Sequence, residues 1–178
     1  MTYLHKAGGT LGASASCALI TALALTMSAC GSADQAPLAV HGDERITDKT
    51  WQVVGIYTAP QARSAIPDSM VDVPTLVFGQ DSLLGTTGCQ RFRADVTYNA
   101  APSTPIDRIT EVSIDAITFD TDASLSDCTG DRLWAHNSLT RLYSVGNAFD
   151  VYVNKNDELS LTLQDDLVDS PAVKFISP

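Results

Sequence analysis

Residues 82–98 read SLLGTTGCQRFRADVTY, and this stretch decides the fold because it joins two strand patterns through a glycine turn. In its second half, apolar and polar side chains alternate, which is typical of a strand with one buried face. The apolar positions are Phe92, Ala94, Val96 and Tyr98, and the polar ones are Arg91, Arg93, Asp95 and Thr97. The turn carries Cys89, which leaves three roles open: a nucleophile, a metal ligand or half of a disulfide.

Further strand patterns lie on both sides of this hairpin. They are TWQVVGIY at 50–57, TLVFG at 75–79, ITEVSIDAITFD at 109–120, AFDVYVNKNDELSLTLQ at 148–164 and AVKFI at 172–176. The fourth segment predicts a second hairpin around its NKND turn. In the third segment the apolar phase slips between Ile114 and Ile117, which predicts a bulge or a bend.

One segment has helical periodicity. In DRLWAHNSLTRLYSV, residues 131–145, apolar side chains recur every three to four positions, so a helix is expected there. The whole pattern predicts an α+β fold with about seven to eight mostly antiparallel strands and one late helix.

The N-terminus has the features of a secretion signal. Lys6 precedes an uncharged apolar run, LGASASCALITALALTM at 11–27, and the sequence SAC follows at 28–30. These residues resemble a bacterial lipobox, which implies a signal peptide over 1–29 and a diacylglycerol group on Cys30. Secretion without a lipid, or an uncleaved anchor, are the alternatives.

The predicted mature chain is one acidic domain behind a tether. Removal of 29 of the 178 residues leaves 149, and loss of Lys6 changes the net charge from −10 to −11. Such a charge argues against a nucleic-acid partner, because phosphates would be repelled. Residues 30–49 are small, polar and aperiodic, so we expect a lipidated, flexible tether and a domain over 50–178. This places the domain on the extracytoplasmic face of a cell membrane.

The order of these segments resembles the META domain, the HslJ-like family of small bacterial envelope lipoproteins. The resemblance covers residues 50–175 and is most specific at the glycine-cysteine turn, where Gln90 stands in place of the asparagine that the family favours. The matching positions are Trp51, Leu76, Phe78, Gly85, Gly88, Cys89, Arg91, Phe92, Tyr98, Cys128, Leu139, Leu142, Leu159 and Leu161. It implies a sheet curled around one helix and a place in the envelope, but no particular reaction.

Two cysteines remain once Cys17 leaves with the signal and Cys30 takes the lipid. In an exported chain, an even pair such as Cys89 and Cys128 predicts a disulfide, which would contribute ~4 kcal/mol in the chain-entropy model. A catalytic thiol would need a base. The histidines of the mature chain are His136, in the predicted helix, and His41, in the tether. No C-x-x-C motif indicates a redox pair.

Metal sites are weakly indicated. The aspartates of 120–131 are spaced somewhat like a calcium-binding EF-hand loop, but Leu125 occupies the position that requires glycine and Asp131 the position of the bidentate glutamate. The two cysteines and the histidines lack the spacing of zinc ligands. No metal or other cofactor is therefore expected.

The expected function is that of a non-catalytic module that binds an envelope protein or component, or supports envelope stress tolerance. The alternatives are an enzyme using Cys89 or a carboxylate pair, and a carrier of small ligands inside the sheet. Glu111, Asp115 and Asp120 themselves have the pattern of solvated strand positions. Arg91 and Arg93 either pair with strand carboxylates or form a patch that binds anions.

Overall fold

The computed structural model describes residues 38–40, 42–102, 104–105, 108–120 and 125–178. Within these residues the chain forms nine strands and one α-helix. They are β1 (Leu38–Val40), β2 (Thr50–Tyr57), β3 (Thr75–Phe78), β4 (Ser82–Thr86), β5 (Arg91–Ala100), β6 (Glu111–Phe119), α1 (Gly130–Leu142), β7 (Ala148–Val153), β8 (Glu158–Leu163) and β9 (Ala172–Ile176). A single 3-10 turn, Leu125–Asp127, precedes the helix.

Eight of the strands close into an antiparallel barrel. From β2 to β9 each strand pairs with the next one along the chain, and β9 pairs back with β2. The prediction of a mainly antiparallel sheet with one helix is therefore confirmed. The expected curled sheet goes further than predicted and closes into a barrel, because β2 and β9 pair with each other and leave no sheet edge between them.

β5 organises one side of the barrel. It pairs with β4 along one edge and with β6 along the other, and its buried positions are those predicted from the alternation. The predicted bulge in β6 is present, since Asp95 pairs with Ala116 and Val96 with Ile114, so that Asp115 has no partner in the ladder. The bulge absorbs the phase slip seen in the sequence.

The helix packs its buried face into the core of the barrel. Ala135 and Leu139 are fully buried and belong to the same hydrophobic cluster as the strand residues. The helix ends at Leu142, and Asn147 donates its side-chain amide to the carbonyl of that residue at 2.8 Å. Gly146, with φ of +87°, supplies the left-handed turn that leads into β7.

Large side chains fill the interior. The largest ones with less than 2 % exposure are Trp51, Tyr98, Phe78, Phe149 and Phe175. They come from five different strands, so the barrel is packed across its whole width. The polar atoms among them are paired: the Trp51 indole donates to the carbonyl of Ile46, and the Tyr98 hydroxyl donates to the carbonyl of Ser82.

The folded unit begins earlier than the predicted boundary at residue 50. β1 pairs with β5 beyond the end of β4, with Leu38 opposite Ala100 and Val40 opposite Tyr98. Ile46 is fully buried, and Asp43 is only 4 % exposed. The predicted flexible tether over 30–49 is therefore wrong for its second half, since residues 38–40 and 42–49 belong to the barrel domain.

Candidate functional site

The disulfide anchors the candidate site. Cys89, at the end of the turn between β4 and β5, is joined to Cys128, just before α1, with their Cα atoms 5.6 Å apart. The predicted pairing of these cysteines is confirmed by the geometry. The bond ties the turn to the start of the helix, and Cys128 lies at the buried end with 4 % exposure.

Two glycines let the chain make this turn. Gly88 has φ of +90°, and a Cβ atom there would meet the carbonyl oxygen of Asp72 at 3.0 Å. At Gly85 a Cβ atom would approach the carbonyl oxygen of Thr75 to 2.5 Å and the ring of Phe92 to 2.8 Å. Gly88 is thus required by backbone conformation as well as space, whereas Gly85 is required by close packing alone.

A buried hydrogen-bond network supports the turn from below. The hydroxyl of the fully buried Thr87 lies 2.8 Å from Nδ1 of His136, and the backbone N–H of Gln90 donates to the same hydroxyl at 3.2 Å. Burial lowers the pKa of His136, so its neutral form is favoured at pH 7. His136 therefore holds the turn in place through Thr87 and does not contact the sulfur as a catalytic base.

A cleft of about 590 Å³ opens beside this turn. Arg132 on α1 forms one wall: its Nε donates to the carbonyl of Gly88 at 2.9 Å, and its guanidinium lies 3.4 Å from the Asp72 carboxylate. Gln90 lines the opposite wall and donates its side-chain amide to the carbonyl of Asp120 at 3.1 Å. The lining comes from four separate parts of the chain, namely residues 72–73, the turn at 86–91, Asp120 and Arg132, and the disulfide ties the turn to the start of the helix that carries Arg132.

A second cleft, about 400 Å³, continues over the outer face of β3, β4 and β5. Thr86, Arg91 and Asp120 line both clefts, so the two meet at these residues. Arg93 and the half-exposed Leu84 lie farther along the second cleft. We call the two together the turn groove.

The predicted motif residues divide between the groove and the core. Gly88, Gln90 and Arg91 line the groove, while Phe92 is 4 % exposed and packs its ring against those of Phe119 and Tyr143. The motif thus combines a surface feature with an anchor in the core.

The candidate carboxylates do not come together as a pair. Glu111 accepts hydrogen bonds from Asn99 and Gln164, and Asp115 accepts one from the Thr97 hydroxyl at 2.8 Å. Asp120 lies at the far end of β6 in the turn groove. The three residues are therefore spread along β6 and just past its C-terminal end, which is the distribution expected of solvated strand residues.

Several predicted residues fall outside the described part of the chain. These are Cys30, His41 and residues 121–124 of the acidic loop. Among the described residues, no group of three or more histidine, cysteine or acidic side chains is placed to hold a metal ion.

Comparison with known proteins gives no match to a protein family, to a curated protein or to a solved structure. Among the residues described by the structure, no helix is long and apolar enough to cross a membrane. The likeness to the META domain accordingly remains a proposal based on the sequence.

Sequence reasoning missed Arg132, Asp72 and Thr87 as parts of the site. Thr87 belongs to the turn itself, but its role depends on His136, 49 residues away, and Arg132 reaches the carbonyl of Gly88 across 44 residues. The local signal for Arg132 was weak. An arginine in the first turn of α1 does not by itself indicate which distant group it contacts.

Proposed function

We propose that this protein is a lipoprotein of the META/HslJ-like kind, anchored through Cys30 to the extracytoplasmic face of a membrane, and that it binds an envelope component without catalysis. The lipobox-like sequence supports the anchor, and the cysteine pair suits an exported chain. Two acyl chains on one cysteine give a stable anchor, whereas one gives only marginal membrane binding.

One observation carries the choice of a binding module: the barrel interior is filled by large side chains, and the turn groove lies on the outside. A carrier of small ligands needs an interior cavity, and the positions that would line one are occupied by Trp51, Phe78 and Phe149. The groove is framed by a crosslinked turn and a helix, so its shape is set before a ligand arrives. Such rigidity reduces the entropy lost on binding.

The chemistry of the groove supports binding over catalysis. A thiol nucleophile needs a thiolate and a nearby base, but Cys89 is bonded to Cys128 and His136 is held by Thr87. Glycoside hydrolysis needs two carboxyl groups facing one bond, and Glu111 and Asp115 are each hydrogen-bonded to neighbouring strand residues.

The anchor is tested by changing Cys30 alone. We expect the full-length chain to fractionate with membranes in a bacterial host and to carry the mass of a diacylglyceryl group, and Cys30→Ala to appear in the soluble exported fraction. A matched Cys17→Ala variant should stay in the membrane fraction. Membrane retention of Cys30→Ala, or recovery of the native chain in the cytoplasm, would contradict the proposal.

A further inference from the structure

The outer face of β5 presents two arginines side by side. Arg91 and Arg93 are both exposed and point away from the core, two residues apart, so their Cα atoms are separated by ~7 Å. Across the ladder with β4 they lie opposite Thr86 and Leu84. Neither of these two neighbours carries a charge. On the β6 side Arg93 lies opposite Thr118, and Asp120, whose backbone N–H donates to the carbonyl of Arg91, brings a carboxylate to this end of the strand without forming an ion pair.

Three other arginines of the domain are held in ion pairs. Arg45, Arg63 and Arg132 each form an ion pair with an aspartate, at positions 43, 131 and 72 respectively. The side chains of Arg91 and Arg93 form no ion pair or hydrogen bond with any residue that the structure describes. Two guanidinium groups this close repel each other, and an anion placed between them is attracted by both.

The surroundings of the arginines favour a ligand with hydroxyl groups. Asp120 lines both parts of the turn groove and can accept hydrogen bonds from hydroxyls, and Asp72 does the same at the far wall. Thr75 and Thr86 add neutral donors and acceptors to the floor. The net charge of −10 disfavours an extended anionic surface, which would face many of the domain's carboxylates at once, whereas a single chain in the groove can place its charges on the two arginines.

The extent of the groove favours a chain over a single small molecule. Its two parts, about 590 and 400 Å³, meet at Arg91 and run from the disulfide turn onto the sheet face. Both parts are open to solvent along their length, so a polymer can enter from the side and needs no free end.

We propose that the turn groove binds an acidic polysaccharide, with the phosphoryl or carboxylate groups of the polymer on Arg91 and Arg93 and its hydroxyls on Asp120. This inference rests on the binding role proposed above and names the ligand class of the same site. Because the groove offers both arginines and a carboxylate, we expect recognition to need both acidic groups and hydroxyls on the polymer.

The test uses titration calorimetry on the exported Cys30→Ala chain, which lacks the lipid that would itself insert into vesicles and therefore needs no detergent. The ligands are a phosphomannan and polygalacturonate as two acidic polysaccharides, dextran as the neutral polysaccharide, and phosphatidylglycerol vesicles as an anionic surface without the polymer. We expect binding to at least one acidic chain that weakens with salt, and none to dextran. The two acidic chains distinguish a phosphoryl from a carboxylate ligand.

The decisive variant is Arg91→Gln with Arg93→Gln. Charge-assisted hydrogen bonds are strong enough that each arginine should contribute on the order of tenfold in affinity. The matched control, Arg108→Gln with Arg141→Gln, removes the same charge from elsewhere and should bind almost as the native chain does. Equal loss in both double variants would overturn the site, because it would reflect net charge alone.

A second variant keeps both arginines. Leu84→Glu places a carboxylate across the ladder from Arg93, where it should compete with the ligand for the guanidinium and weaken binding. Position 84 is exposed, so the domain should tolerate the added charge. Tighter binding to the vesicles than to every polysaccharide would also overturn the inference. If membrane fractionation succeeds while the polysaccharides fail, the ligand class is wrong and the anchored module stands.

Discussion

At the scale of single residues, Asp43 matters most among the features that the sequence did not indicate. Its carboxylate accepts hydrogen bonds from the backbone and guanidinium of Arg45 and from the backbone N–H of Ile109, 66 residues away. Burial by itself would raise the pKa of Asp43, but these hydrogen bonds outweigh it and the pKa is lowered. The side chain thus fixes the N-terminal segment to the loop before β6.

We expect Asp43→Ala to lower the free energy of unfolding by about 2–3 kcal/mol, because the buried N–H of Ile109 loses its acceptor. A lowered carboxyl pKa means that this stabilisation is present above the unfolded pKa of about 4 and is lost as pH falls through the folded value. Asp43→Asn should therefore flatten the acid limb of a stability–pH curve measured by denaturant titration. Asp169→Asn, at an exposed position, is the control and should leave that limb unchanged.

The buried His136 side chain predicts that the free energy of unfolding also rises with pH, but in a higher pH range than for Asp43. Because burial lowers its pKa in the folded state, unfolding takes up a proton as pH falls below the ordinary value of about 6.5. Stability should rise with pH through that region, and His136→Gln should reduce the slope. A native slope of zero or of opposite sign in melting temperatures between pH 5 and 7 would show that the imidazole is not buried as described.

At the scale of elements, the turn between β4 and β5 can be tested with two glycines of similar backbone conformation. Gly88 and Gly146 have φ of +90° and +87°, but a Cβ atom at Gly146 meets nothing within 4 Å. Gly146→Ala should cost about 1 kcal/mol from backbone strain alone. Gly88→Ala adds the contact with Asp72 and should cost clearly more in urea denaturation; equal losses would mean that the turn readily moves away from Asp72.

The elements that the sequence predicts well are those defined by local patterns. The bounds of β2 and β9, the bulge of β6 near Asp115 and the two hairpins follow from alternation and turn residues. The helix follows from its period, although the structure begins it at Gly130. Each of these features is encoded within about 10 to 15 neighbouring residues, which is the range over which periodicity acts.

The parts that were missed depend on contacts between distant segments. Closure requires β2 to pair with β9, some 120 residues later, and no local pattern indicates that pairing. β1 has only three residues, and its place in the fold depends on the free edge of β5 beyond β4. The site follows the same rule, since the turn was visible in the sequence but the wall supplied by Arg132 was not.

At the scale of the whole molecule, the disulfide links two distant segments and should stabilise the entire domain. Its partners are 39 residues apart in sequence, and a loop of that size corresponds to ~4 kcal/mol in the chain-entropy model. Cys89→Ala with Cys128→Ala should lower the melting temperature by on the order of 10 °C. Alkylation of the exported chain should add mass at these cysteines only after reduction; rapid modification without reduction would contradict the bond.

The position of β1 also predicts how the domain would be oriented on a membrane if the proposed anchor is present. Leu38 pairs with Ala100, at the end of β5, whereas the disulfide turn precedes Arg91 at the other end, about 30 Å away along the strand. Eight residues from Cys30 to Leu38 can span at most about 29 Å. If Cys30 carries the lipid, the end of the barrel at Ala100 is held within about 29 Å of the bilayer. The turn groove, at the other end of β5, can then face outward.

This orientation can be measured by energy transfer from a fluorescent amino acid to an acceptor lipid in proteoliposomes. Position 102, just after β5, should transfer more efficiently than position 127, next to the disulfide. The Cys30→Ala chain should show little transfer from either position, because it lacks the anchor. Equal or reversed efficiencies would mean that the groove lies against the membrane, where a polymer of the envelope could not enter from the side. The outward orientation of the groove depends on a short tether. Inserting a flexible segment after residue 35 should therefore reduce the difference in transfer efficiency between positions 102 and 127.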